Sequence, residues 1–391
     1  MFWLNEKAVL FAPPESIEPE ALKQVEDTAS MRFIFKHVAV MPDCHYGKGA
    51  TVGTVLATQG AIIPAAVGVD IGCGMIAVKT PLRRDDIHDP AAIRTGIERR
   101  IPMSAGRNNR SLGDSAAVRV KELESLSRRD YSTIDANWRL ALGTLGGGNH
   151  FIELATDEAD IVWATLHSGS RGIGNKIGNL YIRKAQEIAK ANRTALPDRD
   201  LAFLTEGTQA FNDYVRDLHW AQHFAKLNRD EMMDRVMVEL SQQLYGDSAH
   251  TAELEVQRIN CHHNFAQQEE HFGRRVWITR KGAIEARRGM WAMIPGSMGT
   301  RSYIVTGLEN PMAFNSAPHG AGRRLSRTAA RRQYTMRDLD AAMRGIEFRR
   351  SSVLLDEIPS AYKNIDDVME QAKELVEIKH VLKQFVNVKG D

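Results

Sequence analysis

The sequence predicts an α+β fold, on three observations. Strand-like and helix-like stretches come in blocks rather than in strict alternation, which argues against a doubly wound parallel sheet. The strand-like blocks are punctuated by glycine loops and Pro-Asp breaks. The 391 residues are enough to bury a sizeable core. No internal repeat or low-complexity linker interrupts the chain. The simplest organisation is one compact domain over residues 1–391, with mixed sheets and a helical insertion at roughly 175–256.

The blocks run in order. From about residue 36 to 80 the text KHVAVMPDCHYGKGATVGTVLATQGAIIPAAVGVDIGCGMIAVKT alternates short apolar runs with glycine, as strands joined by tight loops do. A charged, partly helical stretch follows from about 84 to 140. VWATLHSGSRGIG reads as a buried strand running into a Gly/Ser loop. The span from about 175 to 245 is helical: Ile177, Leu180, Tyr181, Lys184 and Ile188 recur at helical spacing, as do Phe211, Tyr214, Val215, Leu218 and Phe224. Strands and glycine loops return from about 257 to 325, and the tail from about 335 to 385 reads as helix again.

Composition narrows the class. Hydrophobic residues are 43% and charged residues 26%, as in ordinary globular proteins. A net charge of only +2 means that any basic surface must be local. No run of about eighteen apolar residues predicts a membrane span. The N-terminus MFWLNEKAVLFAPPES does not have the charged and apolar regions of a signal peptide. Three cysteines are too few for a disulfide framework, so a reducing cytosol is the expected compartment.

The chemistry concentrates in five glycine-bounded segments. In Gly68-Val69-Asp70-Ile71-Gly72-Cys73-Gly74 a tight loop presents a carboxylate and a thiol together, a metal corner or else a buried cysteine beside a turn aspartate. Gly146-Gly147-Gly148-Asn149-His150-Phe151-Ile152-Glu153 lets backbone approach a ligand closely, with His150 and Glu153 bracketing a strand start. It lacks the spacing of a dinucleotide fingerprint. Leu166-His167-Ser168-Gly169-Ser170-Arg171-Gly172 suits a phosphate cradle, or is a polar loop. In Asn260-Cys261-His262-His263-Asn264 strand alternation sends the two histidines opposite ways, so one is not a ligand. Ser316-Ala317-Pro318-His319-Gly320-Ala321-Gly322-Arg323 exposes a histidine among small residues, with Arg324 and Arg327 close behind. That is a nucleophile next to phosphate-binding groups, or a turn histidine. His219 and His223 share a helix face, but the glutamate of H-E-x-x-H is missing, so the pair reads as surface or interface histidines. His37, His88, His250, His271 and His380 carry no motif. The pooled ligand types suit Mn²⁺, Zn²⁺ or Fe²⁺ without choosing among them.

The strings MPDCHYGKG, PAAVGVDIGCG, LGTLGGGNHFIE, LHSGSRGIGN, NCHHN, TRKGA, IPGSMG, HGAGR, EIPSAYKNID and the terminal VKG resemble, in order and across nearly the whole chain, the RtcB RNA ligases of the bacterial branch. The resemblance implies an RtcB-like fold with sheets around a site for two Mn²⁺. Cys73 would bridge them, with His150 and His167 on one ion and Asp70 and His263 on the other. His319 matches the histidine that is guanylated by GTP, and Asp43 a carboxylate that orients it. Asn149, Glu153, Ser297, Ser302, Tyr362 and Lys389 match guanine-nucleotide contacts. Arg171, Lys281 and Arg323 match contacts to phosphate or RNA backbone. Two departures stand out: Pro318 directly precedes the histidine, and Asp391 follows Lys389-Gly390.

The implied reaction joins an RNA 3′-phosphate or 2′,3′-cyclic phosphate to a 5′-hydroxyl, in RNA repair or tRNA splicing. An archease-like activator joins the expected partners, without the sequence fixing whether this chain requires one. Two other classes compete. A metal-dependent phosphoesterase or nuclease would use the same ligands without a covalent histidine. A silent RNA-binding protein would not need a complete ligand set.

Overall fold

Side-chain alternation along the strands decides how the layers stack. In the computed structural model, which describes residues 1–390, Ala39 and Met41 point one way from the strand Ile34–His45, while Val38 and Val40 point the other. The strand Gly74–Arg83 behaves likewise: Met75 and Ala77 face one core, Ile76 and Val78 another. Both faces of both strands are thus apolar, so each sheet must be covered on both sides.

Two sheets satisfy this. The first has six strands in the order Phe2–Asn5, Ala8–Leu10, Ile34–His45, Val52–Thr58, Arg274–Lys281, Asn264–His271. The second has eight. Seven follow the order Gln257–His262, Gly74–Arg83, Ile161–Ser168, Phe151–Thr156, Val376–Val388, Arg301–Gly307, Trp291–Ile294, and Glu347–Phe348 pairs alongside Val376–Val388. The sheets face each other across a core that includes Met41, Val55, Ile278, Met75, Trp163 and Ile304. Helix Pro19–Ala29 covers the outside of the first through Ala21, Val25 and Ala29. The long helix Gln209–Tyr245 covers the second through Met232, Met233, Val236 and Leu240, beside Ile93 and Ile97 of helix Pro90–Arg100. The α+β expectation is met as a four-layer stack of helix, sheet, sheet and helix. Each fully buried Val, Ile or Leu contributes about 1.5–3 kcal/mol, so Ile278→Ala should cost about 2–5 kcal/mol.

The helical segments follow their start and stop signals. Asp89 caps Pro90–Arg100 by accepting from Ala92 N at 2.9 Å, and Thr208 caps the long helix through Phe211 N. Gly246, at φ +84°, ends the long helix in the left-handed conformation. The stretch expected to be helical from 175 to 245 is two helices, Arg171–Ala191 and Gln209–Tyr245, parted by a loop containing Pro197.

The tail departs most from expectation. Its helices are short (Arg327–Gln333, Met336–Ala342, Ile365–Gln371), and Val376–Val388 is a 13-residue strand in the middle of the second sheet. VEIKHVLKQFVNV is rich in β-branched and aromatic residues, which favour a pleated surface. Register shifts against both neighbours break its alternation, so the period of two is blurred in the sequence. No helix among the described residues is long and apolar enough to cross a membrane.

Candidate functional site

Antiparallel register gathers the histidines. His167 pairs with Met75 on one side and Phe151 on the other, and Gly74 pairs with His262. The residues just outside these pairs, Cys73, His150 and His263, therefore meet at one level beside His167. Gly72 adopts φ +71° under the long helix, where a Cβ would meet the backbone of Gln222 and the side chain of Ala225. Only glycine allows the loop to turn there and deliver Cys73.

The donors converge. Cys73 Sγ lies 3.2 Å from His167 Nε2 and 3.4 Å from His150 Nε2, and those two nitrogens form a metal-capable triad with the sulfur. His150 Nε2 is 3.1 Å from Asp70 Oδ2, and His167 Nε2 is 2.9 Å from His263 Nε2. Two ligands bonded to one ion sit roughly 3–3.6 Å apart, close to the separations of Cys73 from His150 and His167.

The tautomers sharpen the point. Asn149 O, a pure acceptor, lies 3.1 Å from His167 Nδ1, so that nitrogen carries the proton. Asn264 is oriented by donating Nδ2 to Asp70 O and accepting Gly282 N on Oδ1. That same Oδ1 is 3.2 Å from His263 Nδ1, which must therefore donate. Both Nε2 atoms are left with bare lone pairs 2.9 Å apart, an arrangement that calls for positive charge beside them. Burial, then the neighbouring histidines, hold His167 and His263 well below the ordinary imidazole range, so protons do not supply that charge. Burial, then Asp70, push the Cys73 thiol well up. Burial would raise Asp70, but hydrogen bonds and charge from His150 outweigh it and keep the carboxyl low. The donor set fits a borderline divalent cation.

The second histidine of the pair turns away. His262 Nδ1 donates to Gly72 O at 2.8 Å, and burial followed by the Arg229 charge lowers its pKa to about 3. Arg229, fully buried on the long helix, donates to Gly72 O (2.7 Å), Ser168 O (3.0 Å) and Asn260 Oδ1 (2.8 Å). Its neighbour Asn228 accepts Gly143 N and donates to Gly169 O. The two side chains brace the loops that carry Cys73, His150, His167 and His263.

Above these donors opens a cavity of about 360 Å³. Asp70, His167 and His263 reach its surface, and Asn149, Glu153, Ser297, His319, Tyr362 and Lys389 line it too. The His319 ring is 4.7 Å from His263, centroid to centroid. Fully buried Asp43 accepts His319 N (2.9 Å) and Gly320 N (3.2 Å) on Oδ2, and the same oxygen lies 2.6 Å from His319 Nδ1. The Nδ1 approach falls outside hydrogen-bond alignment, so it is a close contact rather than a directed bond. Nδ1 thus faces Asp43, whose directed bonds go to the His319 and Gly320 backbone amides. Pro318 ends a short strand opposite Ala283, a place where its missing N–H costs nothing.

The far wall is already paired. Glu153 accepts from Asn387 Nδ2 at 2.8 Å. Burial raises it to about 8, against the opposing effects of Lys389 and Asn387. Lys389 Nζ donates to Glu357 at 3.4 Å, and Tyr362 OH donates to Glu357 at 2.6 Å. Arg323 lies over the Tyr362 ring and gives its donors to Tyr362 OH, Glu357, Asp356 O and Leu325 O. Lys281 donates to Lys48 O and Ala65 O, and burial lowers it to about 7. Arg171 sits behind the cavity surface, bonded to Thr144 Oγ1 and Ser104 O, and Ser302 supports the Gly296 loop.

Sequence reasoning did not assign Glu357, Asn387, Asn228, Arg229 or Asn264. Asn264 and Glu357 stand inside NCHHN and EIPSAYKNID, so their signal was present; the others occupy ordinary helix and strand text.

Comparison with known proteins gives a consistent picture. The family described as tRNA-splicing ligase RtcB matches residues 24–390. The chain is 47% identical over 387 residues to the RNA-splicing ligase RtcB of Escherichia coli (strain K12), covering 96% of this chain and 95% of that protein. It is 30% identical over 424 residues to the tRNA-splicing ligase RtcB of Methanococcus maripaludis, covering 91% and 88%. It is also 30% identical over 426 residues to that of Thermococcus kodakarensis.

Proposed function

The chain belongs to the RtcB family of RNA-splicing ligases and is an RNA ligase, and from that premise we propose that it works through a guanylated His319, with two Mn²⁺ and GTP. The observation that carries this reading is the meeting of two imidazole lone pairs and a thiol beside a histidine whose backbone N–H is held by Asp43. Cys73 would bridge the two ions, with His150 and His167 holding one and Asp70 and His263 the other. When bound, the ions neutralise phosphate charge and ease departure of the leaving group.

His319 Nε2 attacks the α-phosphorus of GTP. A P–N bond forms, the bond to the β-phosphate oxygen breaks, and pyrophosphate leaves. GMP passes to an RNA 3′-phosphate, and a 5′-hydroxyl then displaces it to make the 3′,5′ bond. A 2′,3′-cyclic phosphate is first opened in the same cavity. Asp43 keeps the imidazole oriented throughout. Glu153 accepts from the guanine edge, and Tyr362, Ser297, Asn149 and Lys389 hold the nucleotide, with Ser302 shaping the loop. Lys281, Arg171 and Arg323 supply positive charge around the phosphates; Arg323 exchanges an internal partner to do so. Three unpaired cysteines support a reducing cytoplasm as its compartment, and the task we assign it is repair of broken RNA.

Incubation with Mn²⁺ and α-labelled GTP should leave acid-labile, alkali-stable label on the protein. His319→Ala should lose label and ligation together while keeping its Mn²⁺. Label that persists in the variant, or that maps to Lys281, defeats the histidine mechanism and leaves an unspecified metal-dependent phosphotransferase.

A further inference from the structure

A second cleft, of about 800 Å³, opens beside the catalytic cavity between the end of helix Pro90–Arg100 and the loop that follows it. It is more than twice the size of the cavity over the metal donors. Arg99, Arg100, Arg107, Arg110 and Arg349 line it, against a single acidic residue, Glu98. Most arginines of this protein are tied up: Arg100 is bonded to Glu239, and Arg349 lies 4.0 Å from Glu98. Arg99, Arg107 and Arg110 are exposed and form no ion pair among the described residues. A helix C-terminus favours a cation at Arg99 or Arg100, but it does not account for Arg107 and Arg110 in the loop beyond.

The loop is held rather than loose. Asn109 Nδ2 donates to Leu140 O (2.8 Å) and Leu142 O (2.7 Å), and its Oδ1 accepts from Arg235 at 2.8 Å. The cleft is also continuous with the site. Arg171 donates to Ser104 O on its wall at 3.2 Å, and Arg349 donates to the carbonyl of cavity-lining Lys389 at 3.5 Å. No aromatic residue lines it, so stacking on bases is not on offer, whereas phosphates are well served.

We propose that this cleft is a subsite for the phosphodiester backbone of the RNA strand that leads into the catalytic cavity, gripping it without regard to sequence. The proposal rests on the reading that the cavity joins RNA ends. It also answers the net charge of +2: the basic surface is local and lies next to the chemistry.

The test is binding of a labelled, non-ligatable RNA of about ten nucleotides to the full chain across a salt series. Arg99→Gln/Arg107→Gln/Arg110→Gln should bind about tenfold or more weakly, equally for uridine and adenine runs. The slope of log affinity against log salt should fall by roughly 2, the value for three lost single-strand contacts. Its melting temperature and its labelling by GTP should match the unsubstituted protein. Arg183→Gln/Lys184→Gln/Lys190→Gln removes the same charge from an exposed helix face and should change neither affinity nor slope. An unchanged slope in the first variant overturns the proposal and leaves those arginines to another partner, such as an acidic protein. Equal losses in both variants overturn it in favour of bulk charge. Failure of the unsubstituted protein to take label from GTP would refute the histidine chemistry while leaving the RNA-binding comparison readable.

Discussion

The two walls of the catalytic cavity are built on opposite principles. On the wall of Cys73, His150, His167 and His263 the polar atoms point at one another as bare lone pairs and a protonated thiol, and no internal cation completes them. On the wall of Glu153, Glu357, Tyr362 and Lys389 every charge already has a partner within the protein. On the proposed roles, the first wall is finished by an added cation, and the second releases internal bonds to hold a base. One wall is therefore tuned for affinity and the other for exchange, since a partner that must be displaced lowers binding but sharpens discrimination.

The harshest way to break the contrast is Cys73→Ala. Removing the shared thiolate leaves two cations facing each other with less negative charge between them. Both ions should be lost and ligation should fall by roughly a thousandfold or more. Elemental analysis that still finds two tightly held Mn²⁺ would deny the bridging role. Because the thiol sits well above its ordinary pKa, loading must expel its proton, so Mn²⁺ affinity should weaken as pH falls.

The adjacent histidines separate metal wall from scaffold within one dipeptide. His263→Ala should lose Mn²⁺, because His263 Nε2 faces His167, whereas His262→Ala should keep it, because His262 is spent on Gly72 O. Loss in His262→Ala alone would reverse the assignment. The sequence anticipated that the two would point apart, by strand alternation. The structure achieves it differently: His262 closes one strand and His263 stands between that strand and the next.

That difference shows what was legible. The convergence of Cys73, His150 and His167 was legible, because cysteine and histidine between glycines are rare enough to stand out in a linear text. The α+β class was readable too, since helix and strand periods differ. The Val376–Val388 strand was not, because bulges hide its alternation. Nor were Asn228 and Arg229, since their partners are backbone carbonyls and amides far away in sequence that leave no mark on the helix text.

Those hidden braces give the next effect down. Arg229→Met should leave Ser168 O and Asn260 Oδ1 without the donors that Arg229 supplies, at about 1–3 kcal/mol where water cannot enter, and should leave Gly72 O to His262 alone. Melting temperature should drop, and Mn²⁺ affinity should fall about 10–100-fold even though no ligand has been touched. Normal Mn²⁺ affinity in a folded variant would show that the loops hold their own shape.

The smallest effect belongs to the paired wall, and it carries a sign. Burial raises Glu153 to about 8, with Lys389 and Asn387 opposing, so the carboxyl is largely protonated at neutral pH in the free protein. A carboxyl whose pKa rises on folding adds stability that is complete below its unfolded value near 4.5 and is lost as pH climbs through about 8. The melting temperature of the unsubstituted chain should therefore fall across that window relative to Glu153→Gln, which does not titrate. Guanine presents N1–H and N2–H₂ as donors, which need an ionised acceptor. Binding of GMP to the metal-free protein should thus release a proton and tighten by up to about tenfold per pH unit until pH 8, then level off. Glu153→Gln should flatten that profile and cut the preference for guanine over adenine nucleotides by roughly tenfold to a hundredfold, the worth of one charged hydrogen-bond pair. Adenine offers no such pair of donors, so its weak binding should be indifferent to the substitution. A variant that keeps both the pH slope and the full preference would place guanine recognition elsewhere on this wall, and with it the idea that the wall works by exchanging partners at Glu153.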